Sequence, residues 1–497
     1  VTARQESPDL APIDAAPPAA DQSVGGREPA RPMTWVARVV VCGIPAAVAF
    51  ALGQWQLAER SFSQDEGATL SAARRPLSAL MRMLAHIDAV HGAYYIVSHF
   101  VILIGGAAET AVRLPSVLAT AVAAAVLAAL GTRLAGQRAG IAAGLLFAVA
   151  PPVAADAQNA RPFALATALT LITCYRFVRF AETGRRRDAT WYAVALAAAG
   201  WFDILTLLVV LANAVTLLCT PAWRPRLRGF LGAVAAGGLA TAPLIWLDLS
   251  QVRQVAWERP PGPAALGVLI ALVMAGAAVF VRARPGHRRT GPAALTTLAA
   301  PWLLLPPAVL AVAAQITPMW ELRYLLFCLP AAALLVVAAA SMLPLRYCAA
   351  VLAVILAATL AAQPLVRPAV ATDDLRAVAV LLSKRAQPGD AVVFRQLGRR
   401  LIMDAYPAAF TRLRDIGRNT SPAFRNTLYG KNVSRAVLDH RLVGLSRFWL
   451  VQFPTPHPAR FYGAARPPFP FCAARTWQLR GSTVTLYRRC AATAGRR

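Results

Sequence analysis

Between residues 35 and 365 the chain repeats one pattern: a long apolar run, a short polar break or arginine burst, and another apolar run. A helix needs roughly 20 mostly apolar residues to cross the hydrocarbon core of a bilayer. In lipid every backbone N–H and C=O must be satisfied within the segment, so such runs have to be helical. The expected spans are 35–57, 114–132, 140–155, 163–179, 190–202, 204–220, 230–249, 264–281, 293–314, 324–342 and 345–365. The pair 190–202 and 204–220 is the least secure, because the first run is short and only Asp203 divides them. The class implied is an all-α polytopic membrane protein of about eleven transmembrane helices.

The charge is the second constraint. Lys and Arg total 51 and Asp and Glu 23, a net charge of +28, which in a soluble protein would point to nucleic acid. The distribution argues against that partner. Arg133 and Arg138, Arg176 to Arg187, Arg224 to Arg228, Arg282 to Arg289, and Arg346 fall in alternate connections between apolar runs. Loops rich in Lys and Arg stay in the cytoplasm. The N-terminus is then cytoplasmic, segment 58–113 external and the C-terminus external. Residues 92–107 are apolar too, but a full crossing there would put every later burst on the wrong side. They read as a re-entrant or juxtamembrane helix in the first external loop. Only Lys384 and Lys431 are lysines, and alanine is abundant, as in a chain from a high-GC bacterium, located in its cytoplasmic membrane.

Three regions follow. Residues 1–33, rich in Pro and Ala with no apolar period, read as a disordered cytoplasmic tail. They lack the short basic region directly before an apolar core that a signal peptide shows. Residues 34–365 form the transmembrane domain. Residues 366–497 return to a polar composition and read as a small extracytoplasmic α/β domain, with a helix at 373–386 and strands at 390–394, 447–453 and 482–487. Cys472 and Cys490 lie in it and are a candidate disulfide in an oxidising compartment, whereas the other five cysteines sit in or beside apolar runs.

The polar residues at external ends carry the candidate chemistry. Asp65 and Glu66 sit together just beyond the first span, where a carboxylate meets the membrane surface and can take a proton from a hydroxyl. A plain helix start accounts for the same residues. His91, Tyr94 and Tyr95 follow a second acidic residue, Asp88, and suit either phosphate contact or an interfacial anchor. Gln158 and Arg161 lie in the second external loop, and Arg323 opens a span. Arginine holds phosphate in a bidentate fork, or snorkels. Arg253, Trp257, Glu258 and Arg259 carry the same ambiguity. Trp449, Trp477 and the aromatic stretch 461–471 suit either sugar stacking or a core. No spacing specifies a metal site, and no phosphate loop, nucleophile elbow or dinucleotide fingerprint is present. A divalent cation stays open.

In order along the chain come Asp65-Glu66, His91-x-x-Tyr94-Tyr95, Arg113-Leu114-Pro115-Ser116, the loop Arg133 to Gly140, Gln158-x-Ala160-Arg161-Pro162-Phe163, and Arg323-Tyr324-Leu325-Leu326. This set resembles the integral-membrane GT-C glycosyltransferases, in the branch of protein O-mannosyltransferases and lipid A aminoarabinose transferases. The resemblance spans roughly residues 35–345. The family segment around His91 usually reads His-Pro-Pro-x-Tyr-Tyr, and Gly92-Ala93 stand here in place of the prolines.

The resemblance implies a GT-C-like bundle whose active site faces outside. It implies a polyprenyl-phosphate-linked sugar donor and an inverting transfer, with Asp65 as catalytic base and Glu66 assisting or positioning. By the same resemblance His91, Tyr94, Tyr95, Gln158 and Arg161 line the donor site, and Arg323 contacts the lipid phosphate. Mannose is the leading sugar and arabinofuranose the alternative. The acceptor would be a lipoglycan, polysaccharide or protein of the cell envelope, with membrane lipids as further partners. A transporter or lipid flippase shares the many spans, but should carry broken helices in two repeated halves.

Overall fold

The computed structural model describes residues 34–251, 262–283, 290–316, 320–366, 373–454 and 471–490. The expected tail 1–33, the loop holding Arg253, Trp257, Glu258 and Arg259, and the aromatic residues 461–470 lie outside them.

Helix α1 (Trp35–Gln54) begins where Thr34 accepts a hydrogen bond from the Ala37 amide. Short elements follow: α2 (Gln64–Ala73), α3 (Leu77–Leu84), a 3-10 turn at Ala89–His91 and α4 (Gly92–Gly105). The bundle continues through α5 (Glu109–Ala135), α6 (Gln137–Ala148), α7 (Pro151–Ala157), α8 (Phe163–Thr183), α9 (Arg186–Phe202), α10 (Val209–Cys219), α11 (Leu227–Gln251) and α12 (Pro263–Ala283). It ends with α13 (Pro292–Ala313), α14 (Leu329–Ala340) and α15 (Leu345–Ala361).

Every expected span falls on helical structure. Among the described residues seven segments are long and apolar enough to cross a membrane, or eight if α6 and α7, bent by 63° at their junction, make one broken span. The pair around Asp203 is short, as its sequence indicated. Asp203 caps a 3-10 turn by accepting from the Leu205 amide at 3.0 Å, so two short helices meet there. Helix α4, with 14 residues, is about 21 Å long at 1.5 Å per residue. That is too short to cross a core of about 30 Å.

The core of the bundle is built from Leu127 and Leu130 of α5, Leu171 and Phe177 of α8, Tyr192 of α9, and Trp302 of α13. Helices α5 and α6 approach so closely that a Cβ at Gly140 would lie 2.3 Å from the Ala128 carbonyl oxygen. Helix α15 has no fully buried residue and leans on the bundle through Leu352, Ile355 and Leu356.

The C-terminal residues form α16 (Gln363–Val366), α17 (Leu375–Arg385), β1 (Ala391–Phe394), α18 (Leu401–Ala405), β2 (Arg414–Asp415), β3 (Arg418–Thr420), α19 (Pro422–Arg425), β4 (Lys431–Asn432), α20 (Arg435–Leu442), β5 (Arg447–Gln452), β6 (Phe471–Leu479) and β7 (Ser482–Arg489). Five strands pair in the order β2-β1-β5-β7-β6, parallel around β1 and antiparallel around β7. The sequence reading located α17, β1, β5 and β7. It missed β6, whose mostly exposed residues lack apolar alternation. A disulfide joins Cys472 of β6 to Cys490, with the Cα atoms 5.1 Å apart.

One face of this sheet, with Val392, Phe394, Trp449 and Val451, shares an apolar core with α17, α18, Phe62, Leu70 of α2, Tyr94 of α4 and Val112 of α5. The region expected as an appendage is thus packed against the loop that carries Asp65. Trp449 is fully buried, donates to Asp390 Oδ2 at 2.9 Å and stacks on Trp477, so these two tryptophans serve the core.

Candidate active site

The site begins with the cap of α2. Ser63 Oγ accepts from the Glu66 amide at 3.3 Å, and the Ser63 amide donates to Glu66 Oε2 at 2.9 Å. This reciprocal cap places Asp65 and Glu66 in the first turn, where the helix dipole favours carboxylates.

The two adjacent acids then part. Glu66 is buried and takes a fork from Arg113, Nε to Oε1 at 2.7 Å and Nη2 to Oε2 at 2.9 Å, while the Ala160 amide donates to Oε1 at 3.0 Å. Arg113 gives its remaining N–H groups to the carbonyls of Leu57, Arg60 and Ser61 at 2.8–2.9 Å. All five of its donors are satisfied. Burial pushes the Glu66 carboxyl up, but Arg113 and the Ser63 and Ala160 amides hold it below the usual range. Glu66 ties α2 to α5 and to the second external loop.

Asp65 faces outward, with 41% of its side chain exposed, and its Oδ2 accepts from Arg323 Nη1. Burial pushes its carboxyl up, and the cations Arg161 and Arg323 outweigh this and hold it low. Arg323 opens the 3-10 turn Leu322–Cys328 that leads into α14, its guanidinium carbon 5.7 Å from the Tyr324 ring centre.

Behind Asp65 lies a relay. Asp88, in the left-handed region at φ 62°, meets His91 Nδ1 through Oδ1 at 2.6 Å and accepts from the Tyr95 hydroxyl through Oδ2. Arg161 Nη2 lies 2.7 Å from His91 Nε2. Arginine only donates, so Nε2 is the acceptor and Nδ1 carries the proton that goes to Asp88. Burial pushes the Asp88 carboxyl up, but His91, Arg161 and Tyr95 hold it well below the usual range. The same acidic surroundings stabilise the charge of Arg161, which is almost wholly buried.

The structure thus gathers Asp65, Arg161 and Arg323, with His91 and Tyr95 behind Arg161. It separates two residues expected beside them. Tyr94 meets Ser116 Oγ of α5 at 3.1 Å. Gln158 donates to the carbonyls of Gly53 and Trp55 at 3.1 and 2.6 Å, closing the end of α1. Asp88 and Arg113 were given no role from sequence, though each had a signal: an acid three residues before His91, and a charge at the edge of an apolar run. Among the described residues no group of three His, Cys, Asp or Glu side chains is placed to hold a metal ion.

A family model for dolichyl-phosphate-mannose-protein mannosyltransferases matches residues 88–247, about a third of the chain. A search of curated proteins finds no match. Among solved structures the chain is similar to ArnT from Cupriavidus metallidurans bound to undecaprenyl phosphate, at 15% identity and a TM-score of 0.58, over 92% of this chain and 100% of that one. The apo state of the same protein aligns at 14% identity and 0.48, over 90% and 98%. The arabinosyltransferase EmbB from Mycobacterium smegmatis aligns at 17% and 0.41, over 84% of this chain and 40% of that one. In the matched segment and in the fold shared with ArnT, the chain resembles the integral-membrane GT-C glycosyltransferases, as its motifs implied.

Proposed function

We propose that the chain is an inverting membrane glycosyltransferase that takes a sugar from a polyprenyl-phosphate donor and transfers it to a cell-envelope acceptor outside the cytoplasmic membrane. Mannose is the leading sugar and arabinofuranose the alternative. The observation that carries this reading is Asp65, open at the start of α2 and flanked by two arginines from distant segments. The fold shared with ArnT, whose structure holds undecaprenyl phosphate, supports the donor class. The reading includes eleven spans, a cytoplasmic N-terminus, the tail 1–33, a transmembrane domain at 34–365 and an external domain at 366–497.

The chemistry follows from the pairing of Asp65 with Arg323. A donor phosphate competes with Asp65 for the Arg323 fork. Once Arg323 turns to the phosphate, the Asp65 carboxylate is released and becomes a better base. The acceptor oxygen attacks the anomeric carbon on the face opposite the phosphate. The carbon–oxygen bond to phosphate breaks, and its electron pair leaves with the polyprenyl phosphate. The hydroxyl proton passes to Asp65. The leaving phosphate is stable as an anion, so it needs a cation beside it rather than a general acid. The anomeric carbon gains positive charge in the transition state, which a nearby carboxylate stabilises. Arg161, clamped by the Asp88–His91 relay, supplies a second fixed positive charge.

The test is Asp65→Asn in purified full-length protein, given labelled polyprenyl-phosphate-mannose and a glycoside acceptor. Transfer should fall by roughly 10²–10⁴-fold, the usual contribution of a positioned acid or base. Full transfer by the variant would sink the assignment.

A further inference from the structure

A cleft of about 370 Å³ opens beside Asp65, walled on one side by Gln64 and Asp65 at the start of α2 and on the other by Asp373, Arg399 and Phe453 of the C-terminal region. Its size lies within the range of sites that enclose small molecules, roughly 300–1,000 Å³. We infer that this cleft is the acceptor subsite of the transferase proposed above, and that it takes an uncharged sugar unit of a glycan, stacked on Phe453 with a hydroxyl turned to Asp65.

Four observations carry this. First, the cleft and the proposed base share a wall, so a molecule seated there lies beside the Asp65 side chain.

Second, the cleft combines an open aromatic ring with hydrogen-bonding groups. Phe453 is 38% exposed, a large apolar ring left at the mouth of a polar cavity. Its place is fixed by its amide, which donates to Gln396 Oε1 at 3.1 Å, and by the Arg399 guanidinium 4.3 Å from the ring centre. A sugar offers both an apolar C–H face and a rim of hydroxyls, which matches this pairing.

Third, each charge in the lining already has a partner of opposite sign. Of the residues that line the cleft, Asp65 and Asp373 are carboxylates and Arg399 is the cation. The Arg399 terminal N–H groups are committed: Nη1 to Asp373 Oδ1 at 2.6 Å, Ser482 Oγ at 3.0 Å and the Gly481 carbonyl, and Nη2 to Asp373 Oδ2 at 2.8 Å and to Gln64 Oε1. Asp65 is paired with Arg323 and Asp373 with Arg399, so an uncharged ligand suits this lining.

Fourth, the walls are a helix start, turns and side chains. They are not a sheet edge of the kind that pairs an extended peptide backbone.

The experiment uses the purified full-length protein in detergent, with octyl mannoside, a Ser/Thr-containing peptide and a phosphorylated glycolipid as probes. Binding is followed by saturation-transfer NMR. Octyl mannoside should bind and show contact on its sugar ring. Phe453→Ala should weaken that binding about tenfold, the size of a lost aromatic contact, and Phe453→Tyr should restore it. The inference is overturned if octyl mannoside does not bind, if Phe453→Ala leaves its affinity unchanged, or if the peptide or phosphorylated glycolipid displaces it from the site. Release of polyprenyl phosphate from labelled donor by the same wild-type preparation reads the transferase proposal separately. Protein that releases it while no sugar binds the cleft overturns the subsite alone.

Discussion

Arg323 has one guanidinium and, on the mechanism above, two successive partners, Asp65 and the donor phosphate. This makes it the residue most open to test. Removing the cation beside Asp65 disfavours the charged carboxylate, so the Asp65 pKa rises. The base must be deprotonated to act, so the acid limb of the rate profile moves to higher pH. Arg323→Gln should show that shift in kcat/KM for transfer, together with a raised KM for the donor. A limb that stays in place would mean that Asp65 is not the titrating group. At this scale the sequence was a partial guide. It marked Asp65, His91, Tyr95, Arg161 and Arg323, which the fold brings together. Only the resemblance set Asp65 apart from Glu66, and nothing set Tyr95 apart from Tyr94. Neighbours on a helix point about 100° apart, and only the phase of the helix against its neighbours says which one faces the site. For Glu66 and Tyr94 that phase is set by Arg113 and Ser116, on a different helix.

Among the elements, α2 depends on a charge pair more than on apolar packing at its start. Glu66→Ala leaves Arg113 buried without its carboxylate, which typically costs about 3–5 kcal/mol. Unfolding of the variant in detergent should register a loss of that order, whereas Asp65→Asn should stay within about 0.5 kcal/mol of wild type. Equal losses in the two variants would contradict the division of labour between the acids. The sign with pH is defined as well. The folded pKa of Glu66 is depressed, so its stabilisation is complete above the unfolded carboxyl value, near pH 4.3. It is lost only as pH falls through the lower folded value. Elements made of long apolar runs, such as α5 and α8, were readable in advance. Strand β6 was not, because an edge strand exposed on most of its length has no buried face to write a period into the sequence.

For the whole molecule, the arginine bursts make one global prediction. With the N-terminus inside and eleven spans, the C-terminal sheet and the Cys472–Cys490 disulfide lie outside. A C-terminal alkaline phosphatase fusion should be active, and external protease should cut a C-terminal tag on intact spheroplasts. A protected tag would reverse the topology and put Asp65 on the wrong face for the proposed reaction. The existence of two regions was visible in composition. Their union was not, because the shared core draws Phe62, Leu70 and Val112 together with Val392, Phe394 and Trp449, residues hundreds of positions apart with nothing local to announce the contact.

The distances along the chain between partners also set a timetable for synthesis. Glu66 meets Arg113 only 47 residues later, so the foundation of α2 can close while most of the chain is still unmade. Arg323 follows Asp65 by 258 residues, and Arg399 follows Gln64 by 335. At about 5–20 residues per second, the ribosome takes roughly 10–50 s to deliver Arg323 after Asp65. During that interval a growing chain carries the carboxylate without its arginine and without the far wall of the cleft. On the proposed mechanism, transfer therefore waits until Arg323 and Arg399 have both been made.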